Sequence, residues 1–289
     1  MSEFGGALFS LVGDGRALYP KETDRRPQAA RVLITVKATP QPSQKYGDTV
    51  CVAGIRLRED TGPEWIRLYP VPFRSMDVLD RFRKYELLDL RVTPSRDDPR
   101  AESYKPDRSS IQHGERLEGW KARHPFVEPL ADRWTMCGVL RAARAREPYP
   151  TLAVIRPQEV TGLEITNHPG WTADQLARMS GELRQQMDLF DQEATPTVPL
   201  EAPRFVVKYA YRCADAACNG HKQSLIDWEV TELVRRHHQG DDDATAAEAV
   251  RSRFLDQMAS PERGPLFFVG NQLKNPLTYS VLGVYRSVP

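Results

Sequence analysis

The stretch FVVKYAYRCADAACNGHKQSLIDWE, residues 205–229, decides how the C-terminal part of the chain is read. Its first seven residues alternate like a half-buried strand, and SLIDWEVTELVRRHHQ (224–239) has the apolar spacing of an amphipathic helix. Between them Cys213, Cys218 and His221 fall within nine positions. Thiolate and imidazole are usual zinc ligands, and Gly220 permits the tight turn that brings the histidine back toward the cysteines. The spacing C-x4-C-x2-H predicts a zinc site; the plainer reading is two small residues in a turn beside a surface histidine. The spacing does not fix a fourth ligand. Asp215 and Asp227 are near in sequence, whereas Cys51 and Cys137 lie on apolar faces and read as core cysteines. His237 and His238 fit poorly, roughly 15 Å along the helix at 1.5 Å per residue.

The fourth position decides the chemistry. A protein ligand there makes the site a structural staple; a water makes it catalytic, with Glu229 or Asp227 as general base. The two acids sit at the expected start of a helix, where capping and dipole roles suit them, and no lysine follows Glu229 at i+2. The expectation is therefore a closed site of Cys213, Cys218, His221 and one further protein ligand, joining a strand directly to a helix.

Upstream, RVLITVK (31–37), TVCVAGIRL (49–57), EWIRLYP (64–70) and ELLDLRVTP (86–94) read as strands, with a short helix over 75–85. Together they predict a small barrel or sandwich over about 30–108. DDPRAESYKPDRSSIQHGERLEGWKARHP (97–125) reads as a long polar loop. PLADRWTMCGVLRAARARE (129–147) has helical spacing, residues 151–167 suggest two more strands, and 172–190 another helix. DQEATPTVPLEAPR (191–204) is Pro-rich and aperiodic, the best linker in the sequence. The predicted organisation is a poorly ordered segment 1–28, a β-barrel-like domain with helical insertions over 29–190, a linker over 191–204, and an α/β module with the zinc loop over 205–289. The fold class is α+β.

With 289 residues, 40% hydrophobic and 27% charged, the composition is that of a globular protein in water. A net charge of +1 excludes a globally basic nucleic-acid reader and leaves room for a local basic patch. No apolar run approaches the ~20 residues that span a bilayer. The weak apolar segment Ala7–Val12 lacks a preceding basic region, so no signal peptide is read and a cytoplasmic location is expected. There thiols stay reduced, which favours metal over disulfide for four cysteines.

A local patch is offered by EWIRLYPVPFR, which sets Trp65, Arg67 and Tyr69 on one strand face, followed by Arg74, Arg81 and Arg83. Aromatic and arginine side chains alternating on a small barrel stack bases and contact phosphates; the rival reading is an exposed sheet face with ordinary arginine cover. Arg133, Arg141, Arg144 and Arg146 form a second basic face, on a helix, that either tracks a phosphate backbone or is simply solvated. Gly-rich phosphate loops, H-E-x-x-H, G-x-S-x-G and dinucleotide fingerprints are absent.

The order of YGDTVCVAGI, WIRLYPVPFR, DDPRAES, YRCADAACNGHKQSLIDWE and FFVGNQLKNPLTYSVLGVYR resembles a family of bacterial proteins found near mobile elements and anti-phage genes. The resemblance spans residues 31–286, carries no assigned activity or catalytic residue, and implies work on nucleic acid. The expectation is a nucleic-acid-binding component, on DNA or RNA, of a bacterial processing or antiviral defence system. The rivals are a metal-dependent hydrolase or nuclease centred on the Cys/His loop, and a structural subunit with a protein partner in a larger assembly.

Overall fold

The structure, a computed structural model, describes residues 11–12, 16–17, 21–40, 50–58, 62–74, 76, 81–177, 179 and 200–287. Two short strands, β1 (Leu11–Val12) and β2 (Arg16–Ala17), pair antiparallel inside the segment expected to lack order. Runs of Val, Ile and Leu then close a barrel. Its strands are β3 (Gln28–Lys37), β4 (Val50–Arg58), β5 (Gly62–Val71), β6 (Glu86–Pro94) and β7 (Ser103–Arg116), in the order β3-β4-β5-β7-β6. Every neighbouring pair is antiparallel except β5 with β7. This order and its one parallel pair give the connectivity of a five-stranded Greek-key barrel of the OB type. Val32, Ile34, Val52, Ile66, Leu88 and Val92 fill the interior. Gly54 lets β3 and β4 close up: a Cβ there would lie 2.5 Å from the Leu33 carbonyl oxygen.

The second part is a six-stranded sheet of β8 (Leu152–Ile155), β9 (Pro157–Asn167), β10 (Phe205–Cys213), β11 (His221–Leu225), β12 (Pro265–Asn271) and β13 (Tyr279–Arg286). The order is β8-β12-β13-β11-β10-β9, with β11 and β13 parallel. After the barrel come α1 (Gly119–Val127) and α2 (Met136–Ala145); after β11 come α3 (Trp228–His237) and α4 (Asp243–Arg251). One sheet face, with Val207, Tyr209 and Phe267, buries Val139 of α2, Val230 of α3 and Val250 of α4. The opposite face, with Val154, Leu266 and Phe268, packs on Leu33 and Ile55 from the outside of the barrel. The chain is thus α+β, as expected, in three layers: helices, sheet, barrel.

Four expectations differ from the structure. The polar stretch 97–125 is mostly regular, because β7 and most of α1 lie within it. Beyond Tyr104 the strand β7 is largely solvent-facing, so pairing with β6 orders it without any apolar alternation. Residues 81–85 are not helical: Tyr85 turns into the left-handed region at φ 64° and Lys84 points inward, while 77–80 lie outside the described residues. The division expected at 191–204 does not separate the sheets, because β9 pairs with β10 from Asn167↔Phe205 to Pro157↔Cys213. A pairing between strands so far apart in sequence leaves no local signature. Residues 191–199 and most of the helix predicted over 172–190 lie outside the described residues, and 173–177 are helical. Finally, β11 separates the Cys/His loop from α3: its five residues bury only Gln223 and Leu225, too short a run to show a period.

Trp65 is a seam residue, meeting Phe268 of the sheet edge-on at 5.6 Å between ring centroids. Trp65→Ala should therefore lower stability by about 3 kcal/mol, near the lower end for large aromatic truncations. Denaturant titration checks this, and an unchanged midpoint would mean that the seam does not hold the layers together.

Candidate metal centre

β10 alternates, and its inward stripe Val207, Tyr209, Tyr211 ends at Cys213, fully buried on the helix side of the sheet. The chain then turns through 214–220 and returns as β11, with His221 opposite Tyr211. Gly220, at φ +103°, makes that return, and its amide donates to Cys218 Sγ at 3.4 Å. α2 starts at Thr135, whose side chain accepts from the amide of Gly138 at 3.0 Å. Met136 and Val139 face the sheet, and Cys137 in the first turn points to the hairpin. His221 Nε2 lies 3.4 Å from the sulfur of each of Cys137, Cys213 and Cys218. The four ligand atoms lie within 4.8 Å of one another and could hold one metal ion.

The fourth member of the cluster is thus Cys137, which the sequence suggested was a core cysteine. Asp215 is instead ion-paired with Arg141 at 2.6 Å, one helical turn beyond Cys137, which clamps α2 to the loop again. Cys51 lies apart, in contact with Arg67. The electrostatics favour a cation. Burial holds His221 below its ordinary value, so the imidazole is neutral and has a lone pair to give. Burial opposes a thiolate at Cys218, but the amides of Cys213 and Gly220 donate to its sulfur and hold it below the usual thiol range. Burial, then the neighbouring Cys213 and Cys218 sulfurs, push Cys137 up to about 12. Three thiolates this close ionise together only around a positive charge.

Asp227 and Glu229 lie at the other end of β11, about 20 Å from His221 at strand rise, so neither serves the cluster. Asp227 is the N-cap of α3, accepting from the amide of Glu229 at 3.0 Å, and Glu229 occupies the first turn, the capping and dipole roles expected. The lysine absent at i+2 arrives from the barrel: Lys84 Nζ lies 2.7 Å from Asp227 and 3.2 Å from Glu229. Burial alone would pull the Lys84 amine down, but the two carboxylates raise it above its ordinary value and keep it charged. Lys37 packs over the Phe73 ring at 4.5 Å, beside Trp228. Burial, reinforced by the Lys84 charge, pulls it down to about 8.

The strand face nominated for nucleic acid is covered. Trp65 and Arg67 do point out of the barrel, but toward the sheet. Arg67 is 5% exposed and donates to the Thr151 carbonyl and the Glu102 carboxylate. Tyr69 and Arg74 are half-buried. Arg81 and Arg83 are exposed, but Arg81 donates to the carbonyls of Met76 and Arg74. Alternation shows which way Trp65 and Arg67 point, and not what they meet.

A fold of OB-type barrel against helix-covered sheet, with a Cys3His cluster, marks the class of protein. A domain of unknown function, DUF8757, matches residues 132–289, more than half of the chain, and the chain belongs to that family. A second domain of unknown function, DUF8758, matches 28–129, so the two matches divide the chain where barrel gives way to sheet. No curated protein and no solved structure matches it.

Cys137→Ser should lower stability by about 2–3 kcal/mol in metal-replete buffer, the stabilisation given by a ligand held at roughly a hundred times its Kd. After exhaustive chelation the two proteins should unfold nearly alike. An equal loss in both conditions would reduce Cys137 to a packing residue.

Lys84→Ala leaves Asp227 buried without its cation and should cost about 3–5 kcal/mol. Lys84→Met combined with Asp227→Leu should recover much of that loss. Strictly additive losses in the double variant, read from urea midpoints, would show that the two charges are not coupled.

Proposed function

We propose that the chain is a zinc-stapled, nucleic-acid-binding component of a bacterial DNA- or RNA-processing or defence system. Zinc is supported by ligand type and geometry. Tetrahedral bonds of about 2.3 Å to sulfur and about 2.0–2.1 Å to nitrogen put sulfur and nitrogen about 3.5 Å apart, and the spacing here is 3.4 Å three times over. Four protein ligands fill a tetrahedral zinc, so the ion serves as a staple between α2 and the β10–β11 hairpin. A hydrolytic zinc needs an open position and a base; Asp227 and Glu229 lie too far along β11, and Asp215, the acid in the loop, is held by Arg141. The hydrolase reading is therefore not the one the geometry favours.

The observation that carries the nucleic-acid reading is the barrel's connectivity. OB-type barrels bind oligonucleotides through the face of their second and third strands and the adjoining loops. Here those strands are β4 and β5, and Ile55 and Trp65 on their outer side are packed against the sheet, so contact must come from elsewhere on the surface. A cytoplasmic location fits reduced thiols at the cluster. Among the described residues no helix is long and apolar enough to cross a membrane.

The expected outcome is about one zinc per chain in protein purified without chelator, measured by elemental analysis. Oligonucleotide affinity, measured by fluorescence anisotropy, should fall linearly in log–log form with salt. Absence of zinc sinks the staple. Absence of binding to both DNA and RNA sinks the nucleic-acid reading and favours a structural subunit with a protein partner.

A further inference from the structure

α2 begins at the metal cluster with Cys137 and ends beside the turn between β12 and β13. Between its last turn and that turn lies an open groove of about 470 Å³. Arg144 and Arg146 line it from the helix and Lys274 from the turn, with Asn275 and Leu277 beside them; no carboxylate lines it. The chain as a whole carries 39 acids against 40 bases, so the positive charge here is local. Some surface arginines have carboxylate partners, as Arg141 has Asp215, Arg156 has Asp132 and Arg204 has Asp243, and others, such as Arg133 and Arg81, donate to backbone carbonyls. Arg144, Arg146 and Lys274 have no ion pair among the described residues. Arg146 holds a left-handed backbone, φ 61°, at the helix C-cap, a conformation that glycine adopts with less strain. Leu277 is 47% exposed at the rim. The turn is internally tied, with Asn271 donating to the Pro276 carbonyl and the Thr278 amide to the Asn275 carbonyl, so Lys274 projects from an ordered base.

We infer that this groove binds the phosphodiester backbone of a nucleic acid. Guanidinium forks suit phosphate oxygens, Lys274 adds a point charge, and Leu277 offers an apolar contact to a sugar or base. In a nearly neutral chain, a basic groove without a carboxylate binds a polyanion locally, without global steering. The inference rests on the nucleic-acid reading above and adds the place and the contacting groups. It also gives the metal a part in binding, because Cys137 fixes the helix whose other end carries two of the three cations.

The test uses the full, metal-replete chain and one labelled oligonucleotide sequence as single-stranded DNA, as RNA and as DNA duplex, titrated over a range of KCl. Arg144→Glu with Lys274→Glu should weaken binding at least about tenfold. The slope of log affinity against log salt should become shallower by about 1.4 for single strands, or about 1.8 for duplex, as two phosphate contacts are lost. Arg144→Gln with Lys274→Gln should fall between variant and wild type. Both double variants should keep the metal content and the thermal unfolding of the wild type, since all these side chains are exposed. The strand type that binds best identifies the source of the phosphodiester. Wild-type binding with unchanged affinity and slope in the variants overturns the groove and leaves the nucleic-acid reading standing. No binding by the wild type overturns both. Equal binding of polyglutamate, or full displacement by a mononucleotide at matched phosphate concentration, overturns the backbone assignment.

Discussion

The contact between the outside of the barrel and one face of the sheet organises the molecule. Phe268 stands in this seam, meeting Trp65 edge-on at 5.6 Å and stacking on Tyr285 at 6.3 Å. Leu33 and Ile55 from the barrel, and Val154, Leu266 and Leu282 from the sheet, complete it. Neither surface could face water without a large apolar patch, so each half is the cover of the other. The same packing covers the outer side of β4 and β5 around Ile55 and Trp65 and leaves the helix layer, the loops and the solvent-facing part of β7 to make outside contacts.

On the far side of the sheet the helices are held by apolar burial, and α2 is held twice more. Cys137 joins the Cys/His cluster, and Arg141 reaches Asp215 in the loop that carries Cys218. A short helix is marginal by itself, and tertiary fixation sets where its side chains point. Here the fixation acts at the first turn and at the next, and the far end presents Arg144 and Arg146.

Much of the fold was legible because local period is a good guide to local structure. β6 spans residues 86–94, the bounds that the alternation of ELLDLRVTP set, and the α+β class followed from counting such runs. What could not be read was long-range pairing. β7 has few apolar residues and exists because β6 supplies its hydrogen bonds. Likewise β9 joins β10 across about forty residues of intervening chain, which placed the expected boundary too late. The site was legible in its local part alone. Cys213, Cys218 and His221 were close in sequence and are close in space, whereas Cys137 and Lys84 come from 76 and 143 residues away from Cys213 and Asp227 respectively. A hint for Cys137 was present: a cysteine in the first turn of a helix with Arg141 four residues on matches a loop that holds Asp215 and lacks one ligand. The burial of Trp65 and Arg67 had no such hint, since both sides of a seam look like ordinary half-apolar surfaces when read singly.

The Lys84–Asp227 pair has a consequence for how this architecture can be inherited. Lys84 lies in the segment matched by one domain family, and Asp227 and Gly283 in the segment matched by the other. A Cβ at position 283 would stand 3.2 Å from the Asp227 carboxylate and 3.6 Å from the Lys84 amine, so the sheet must leave room for a charge pair assembled across the two modules. A sheet module transplanted next to another barrel would arrive with a buried anion and an empty space beside it. It would accept only a partner that supplied a cation at that point, which makes one ion pair a compatibility test between the two modules.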